Sequence, residues 1–333
     1  MPMAREIVVN GRFLSRRITG VERYGRAILS LLGDSCRVEK TRWNGARGHA
    51  WEQFVLPAKL HSGSVLWSPA NTGPLLIRDQ ALTLHDLSPL EHPGWFRREF
   101  AFWYRSFLPQ LIRRVRLIFT SSEFVKRKIG QQYGVKKVVV APGGVNTFTF
   151  HPKAKQRVFD LPERYVLFLG SLQPRKNLKL LLNAWNRIKT DLEDTWLIVA
   201  GEAGAVFRNE EYPVIERVRF LGYVAEEALP GLYAHAACFV LPSHDEGFGL
   251  SALEAMACGS PVIVSNGGAL PETVGEAGLV FDLSTADGLR EALAECLGNR
   301  RLRSILIEKG LERAKQFSWE KTAQIVRTSL DEL

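Results

Sequence analysis

Apolar residues run along this chain in short blocks, and between the blocks lie longer stretches whose apolar positions recur every three or four residues. In the first half the blocks read REIVVNG, SVLWSPA, ALTLHDL, RLIFTSS and KKVVVAPGGV. In the second half they read RYVLFLGSL, WLIVAGE, RVRFLGYV, CFVLPS, SPVIVSN and GLVFDL. GVERYGRAILSLL, RKNLKLLLNAWNRIK and LREALAECLGNRRLRSILIEKGLERAKQF carry the helical spacing. Nearly continuous apolar strands that alternate with amphipathic helices predict an α/β protein with parallel sheets covered on both faces. The alternation lapses at NTFTFHPKAKQRVFDLPER, polar and proline-bearing, which predicts a linker between two doubly wound domains. A length of 333 residues fits that division.

Sheets of this kind hold ligands beyond the carboxyl ends of their strands, so chemistry is expected in the loops that follow strands. After CFVLPS comes HDEGFG, then LSALEAMACG, a predicted helix ended by Gly259 with Pro261 soon after. The N–H groups of Phe248, Gly249 and Leu250 then lie unpaired at the positive end of a helix dipole, where glycines let a ligand come close. Such an arrangement suits an anion. Glu254 falls about one turn inside the helix, where a carboxylate can accept from paired ribose hydroxyls, while Glu246 stays in the loop. A second loop, SLQPRKNLKLLL, follows YVLFLG and places Arg175 and Lys176 just before a helix whose dipole opposes them. A bound diphosphate would remove that conflict, the guanidinium offering a fork and the ammonium a compact charge.

Composition narrows the choices. Neither GxGxxG nor GxxxxGK occurs, which argues against a dinucleotide oxidoreductase and a P-loop enzyme. No Asp-x-Asp pair offers itself to a divalent metal, so protein cations are expected to do that work, with no metal and no other cofactor. Cys36, Cys238, Cys258 and Cys296 are scattered and suit a reducing cytoplasm. The start, MPMAREIVV, has no apolar run of signal length, and no window is long enough to span a bilayer. The expectation is a cytoplasmic protein, at most peripheral on the inner face of the cytoplasmic membrane.

The net charge of +9 is uneven: residues 1–160 hold 26 Lys and Arg against 11 Asp and Glu, and the remainder holds 18 against 24. A basic half could face nucleic acid, an anionic membrane or a phosphorylated substrate. Nucleic acid is the weaker reading, since no such binding motif is present and the informative loops sit in the acidic half. Within GWFRREFAFWYRSFLPQLIRRVR, residues 94–116, Phe96, Phe100, Phe107 and Leu111 share a helical face that Pro109 is expected to break or kink. That face either packs into the protein's own core or docks on anionic lipid.

GSLQPRKNLKLLLNAW, EGFGLSALEAMACGSPVIVSNGGALPE and APGGVN resemble the retaining nucleotide-sugar glycosyltransferases of family 4, which have the GT-B fold. The spacing of Glu246 and Glu254 is that group's E-x7-E signature; TGVERYGRAIL, LHDL and TSSEFVKRKI match more loosely. The resemblance implies two facing Rossmann-like domains with a cleft between them. Residues 1–155 would hold the acceptor, residues 156–316 the nucleotide sugar, and a helix in 317–333 would cross back to the first domain. It places Arg175 and Lys176 on the donor diphosphate, and the backbone of Gly247, Phe248, Gly249 and Leu250 near the sugar and phosphates. Glu254 would hold the ribose and Glu246 the sugar, with Leu221, Gly222 and Tyr223 facing the base. In the first half, Gly20 would lie near the diphosphate and acceptor, and His85 would face the reacting sugar. The partners implied are a nucleotide-sugar donor and a glycan or lipid-linked acceptor, with no nucleic acid.

Within the family the likeness leans towards bacterial mannosyl- or rhamnosyl-type enzymes of surface-polysaccharide and lipopolysaccharide assembly, and so towards a GDP-linked donor. A UDP-linked donor, or a non-catalytic sugar-nucleotide binder, stays open. No acid is demonstrably placed to attack the sugar, so retention is expected by front-face substitution. Arg175, Lys176 and the helix mouth would hold the leaving charge, the departing phosphate would take the acceptor's proton, and Glu246 would orient.

Overall fold

Twelve parallel strands among the described residues form two sheets of six. The first sheet contains β1 (Ile7–Asn10), β2 (Cys36–Glu39), β3 (Val65–Ser68), β4 (Gln80–Thr83), β5 (Leu117–Thr120) and β6 (Val138–Val140). Their spatial order is β2-β1-β3-β4-β5-β6. The second contains β7 (Arg164–Leu169), β8 (Thr195–Ala200), β9 (Val218–Gly222), β10 (Cys238–Leu241), β11 (Val262–Ser265) and β12 (Gly278–Phe281), ordered β12-β11-β10-β7-β8-β9. This computed structural model describes residues 5–154, 160–189, 192, 194–208, 210–285 and 287–333. The expected domain boundary at 155 and 156 lies outside the described residues.

Apolar blocks without alternation become strands buried on both faces. In the second sheet Leu167, Ile198, Phe239, Leu241 and Val264 join one core cluster, while their neighbours Val166, Phe168, Leu197, Val240 and Ile263 join another on the opposite face. The helix Leu178–Ile188 covers the latter with Leu181, Leu182 and Trp185. In the first sheet Val9, Val65, Trp67 and Phe119 pack with Tyr24 and Ile28 of the helix Gly20–Leu32. The Glu22 carboxylate accepts from the Thr19 N–H at 3.3 Å and so steadies the start of that helix.

By its internal packing the chain divides into two compact units. One comprises Met1–Glu91, Ala101–Gly144 and Ser318–Leu333; the other comprises His92–Phe100 and Val145–Phe317. The terminal helix Trp319–Asp331 buries Ala323, Val326 and Leu330 in the core of the first unit, and the Thr322 hydroxyl donates to the Pro142 carbonyl at 2.7 Å. In each sheet the strand order reverses direction once, beside β1 in the first and between β7 and β10 in the second. The crevice beyond the carboxyl ends at such a reversal is where doubly wound sheets take ligands.

Three local expectations need correction. β2 was not anticipated, because its sequence CRVE alternates charge with apolar side chains and lies half-buried at the sheet edge. The long amphipathic run after Gly288 is two helices, Gly288–Gly298 and Arg300–Ala314, parted at Asn299, whose side chain accepts from the Leu302 N–H at 3.0 Å. Pro109 does not break its helix, which runs unbroken over Arg98–Arg114, anchored on either side of the proline by buried Leu108, Leu111 and Ile112. The apolar face within 94–116 turns inward: Phe96, Phe107 and Leu111 are buried and Phe100 half-buried, leaving Phe102 and arginines outside. No helix among the described residues is long and apolar enough to cross a membrane.

Candidate functional site

The strands at the second reversal, β7 and β10, end in the two loops singled out by the sequence. β10 is fully buried, and its apolar anchors Phe239 and Leu241 fix where the next loop begins. In that loop the Glu246 carboxylate, 6% exposed, is held from three sides. Arg175 donates to its Oε2 at 3.1 Å, Lys176 pairs with its Oε1, and the buried Ser243 hydroxyl donates to the same Oε1 at 2.9 Å. Burial alone would raise the carboxyl's pKa, but Arg175 and Lys176 outweigh it and hold the group down at about 2. Glu246 is therefore ionised throughout the neutral range, and the trio keeps a net positive charge.

Backbone contacts set the same geometry. The His244 N–H donates to the Arg175 carbonyl at 2.8 Å, and the Arg175 guanidinium donates to the Asp245 carbonyl at 3.2 Å. Arg175 and Lys176 lie on a short turn, Pro174–Lys176, and left-handed Asn177 separates them from the helix Leu178–Ile188. The charge conflict with that helix is met within the protein by Glu246. The Lys176 side chain passes over Gly170, where an added Cβ would touch its Cε at 3.4 Å.

Two glycines after β11 make room for the acidic loop. A Cβ on Gly268 would stand 2.3 Å from the Glu246 carbonyl oxygen, and the residue has a φ of +66°. A Cβ on its neighbour Gly267 would likewise run into the Ser243 and His244 carbonyl oxygens. The Ala269 N–H donates to the Glu246 carbonyl at 2.8 Å. Gly268→Ala therefore has to move the Glu246 backbone. The expected result is a kcat lower by about 10-fold and a stability loss of about 1–3 kcal/mol. Steady-state kinetics with a thermal melt checks this, and an unchanged rate would show that the loop tolerates the shift.

The helix Leu250–Ala257 begins at left-handed Gly249 (φ +96°), where a Cβ would meet Leu270 Cδ2 at 2.6 Å. Gly247 and Phe248 are buried just ahead of it and Leu250 is half-buried. Glu254 is buried in the helix, and its Oε2 accepts from the fully buried Tyr233 hydroxyl at 3.0 Å. Leu221 and Gly222 end the edge strand β9, with exposed Tyr223 following. Two of the backbone groups expected to read a base have partners there: the Gly222 carbonyl accepts from the Gly201 N–H at 2.7 Å, and the Tyr223 N–H donates to the Glu202 carboxylate at 3.2 Å.

The site residues thus fall into two sets. Arg175, Lys176 and Glu246 touch one another, and Gly247, Phe248, Gly249, Leu250, Glu254 and Leu221–Tyr223 belong to the same unit. Gly20 and His85 belong to the other unit. There Gly20, exposed, opens the helix that carries Tyr24, whose ring meets the His85 ring edge-on at 4.9 Å between centroids. His85 Nε2 lies 3.0 Å from the Pro69 carbonyl, which can only accept, so this nitrogen carries the proton. Burial lowers the pKa of His85 and keeps the ring neutral near pH 7. Sequence reasoning missed Ser243, Tyr233, Glu202 and the role of Gly267 and Gly268. Of these, only the post-strand glycine pair carried a local signal.

Comparison with known proteins identifies the family. The family Glycosyl transferases group 1 matches residues 150–313, and Glycosyltransferase Family 4 matches residues 60–148. O-antigen chain mannosyltransferase B of Escherichia coli is 30% identical over 314 residues, spanning 89% of this chain and 80% of that protein. Among solved structures, the sucrose-phosphate synthase of Thermosynechococcus elongatus superposes with a TM-score of 0.79 at 20% identity, over 99% of this chain and 100% of that one. WaaG, a glycosyltransferase involved in lipopolysaccharide biosynthesis, does so with 0.74 at 15% identity, over 98% of each. Both have the GT-B fold, as the two six-stranded parallel sheets lead one to expect. The chain belongs to the group 1 glycosyltransferases and is an enzyme of that class.

Proposed function

We propose that the protein moves a mannosyl residue from a GDP-linked donor to a glycan or lipid-linked saccharide, with retention and without a divalent metal. The observation that carries this reading is the Glu246 carboxylate locked between Arg175 and Lys176 at the strand reversal. Two fixed cations beside the N-terminus of the helix Leu250–Ala257 offer a diphosphate the positive charge that a metal otherwise supplies. Glu246 has both oxygens engaged and is a poor nucleophile. A front-face course follows. The bond from the sugar C1 to the phosphate oxygen breaks, a bond from C1 to the acceptor oxygen forms on the same face, and the departing phosphate takes the acceptor's proton. Glu254, steadied by Tyr233, holds the ribose hydroxyls. Mannose and a surface-polysaccharide acceptor are supported by likeness to a protein named O-antigen chain mannosyltransferase.

A thermal-shift comparison of GDP, UDP, GDP-mannose and UDP-glucose tests the donor, because at equal concentration the ligand that binds the folded protein more tightly raises the melting point further. The expected result is a larger shift with the guanosine compounds, unchanged by a chelator. A shift confined to the uridine compounds would reassign the donor, and activity lost to a chelator and restored by magnesium would sink the metal-free mechanism. We place the enzyme in the cytoplasm, where Phe102 with Arg98, Arg105 and Arg113 forms the exposed surface that would meet an anionic membrane. Failure to co-sediment with anionic vesicles at low salt would remove that contact.

A further inference from the structure

A short piece of the first half of the chain, His92–Phe100, packs as part of the second unit. Its backbone pairs in antiparallel fashion with the turn that follows β8. The Arg208 N–H donates to the Trp95 carbonyl at 3.0 Å, and the Arg97 N–H donates to the Val206 carbonyl at 2.9 Å. Phe96, buried, sets its ring against Phe207 at 5.1 Å and Phe100 at 5.3 Å between centroids. The strap is thus fastened by backbone and side chain to the unit that holds Arg175 and Glu246.

The residue this fastening presents is Trp95. Its ring lies within 22° of parallel to the His244 ring, at 6.0 Å between centroids, and His92 stacks on it at 4.0 Å and 21°. His244 is where the two loops of the site are joined. Its N–H donates to the Arg175 carbonyl, and the two residues after it supply the Asp245 carbonyl and the Glu246 carboxylate to the Arg175 guanidinium. A rotation of the His244 backbone would carry all three contacts with it. Nothing in the donor chemistry requires an indole at this point, yet the chain leaves one unit to place it there.

We propose that Trp95 is a positioning residue for glycosyl transfer: by stacking on His244 it fixes the His244 amide and keeps Arg175 in register with Glu246. The inference rests on the reading that Arg175 and Glu246 act on the donor. Displacement of about 1 Å in such a constellation costs roughly 100-fold in rate, so a loosened stack appears in kcat before it appears in donor binding.

The test compares Trp95→Ala, Trp95→Phe, His244→Ala, the Trp95→Ala/His244→Ala double variant and Arg175→Ala, using the full chain with sugar-nucleotide donor. Trp95→Ala is expected to lower kcat about 10-fold or more with donor KM within about threefold, and Trp95→Phe to recover most of the rate. Because the effect passes through His244, the double variant should be no slower than His244→Ala alone. Additive losses, equal losses in the Ala and Phe variants, or a Trp95→Ala rate within about twofold of wild type would each overturn the proposal. Should Trp95→Ala fail to fold, Trp95→Leu fills the volume without an aromatic face, and a wild-type rate there has the same consequence. A slow Arg175→Ala beside an unaffected Trp95→Ala refutes the strap's role alone; a fully active Arg175→Ala refutes the donor-site reading beneath it.

Discussion

Arg175→Ala and Lys176→Ala are each expected to lower kcat by roughly 100- to 1000-fold while the protein stays folded. Both side chains are nearly withdrawn from water, at 13% and 11% exposure, so their charge acts on a leaving diphosphate with little screening. That charge matters most as the bond to phosphate breaks and negative charge collects on the departing oxygen. The loss should therefore fall on kcat more than on donor KM. Each single variant leaves Glu246 one cation and the Ser243 hydroxyl, so its carboxylate is not stranded. The double variant removes both cations from a buried carboxylate, which costs about 3–5 kcal/mol or forces it to protonate. Single variants are for this reason the proper kinetic test, with a melt to confirm the fold. Wild-type turnover in both would remove the two cations from the chemistry.

The same cluster shows what could be read from the chain and what could not. CFVLPS and YVLFLG were legible as strands because burial on both faces leaves no polar position to blur the pattern, and the loops after them are where Arg175, Lys176 and Glu246 lie. Which reversal point they flank depends on spatial strand order, and no local pattern encodes the neighbour relation of β7 and β10. The mutual pairing of these three groups was likewise invisible, since their contacts join residues some 70 positions apart in sequence. The Tyr233 hydroxyl on Glu254 was hidden for a related reason: in LPGLYAHAA a tyrosine reads as core, and only the fold shows its oxygen meeting a carboxylate. The segment at residues 94–116 carried the correct amphipathic signal, but amphipathicity alone cannot tell a protein core from a bilayer. Packing of Phe107 and Leu111 resolved that face towards the interior.

Glu246→Gln is expected to lower kcat by about 100-fold or more and to remove a contribution to stability that is present at neutral pH and lost in acid. Gln keeps the shape of the side chain but loses the charge that aligns Arg175 and Lys176, and its amide nitrogen presents a donor to partners that only donate. The folded protein holds the Glu246 carboxyl at about 2 against an ordinary 4.5. A pKa lowered by folding means that the stabilisation is fully present above about pH 4.5 and fades as the pH falls towards about 2, where both states become protonated. That difference corresponds to on the order of 3 kcal/mol. Urea unfolding of wild type and variant should show a gap that is widest near neutrality and closes as the solution is acidified through this window. A gap independent of pH would mean that folding leaves the pKa of this carboxyl unchanged. The kinetic arm separates orientation from attack. With both oxygens of Glu246 engaged by Arg175, Lys176 and Ser243, no glycosyl adduct should accumulate on this residue when turnover is stopped and the protein weighed by mass spectrometry. An adduct on Glu246 would replace the front-face course with a double displacement, and the same three contacts would then have to be read as the means by which a nucleophile is aimed.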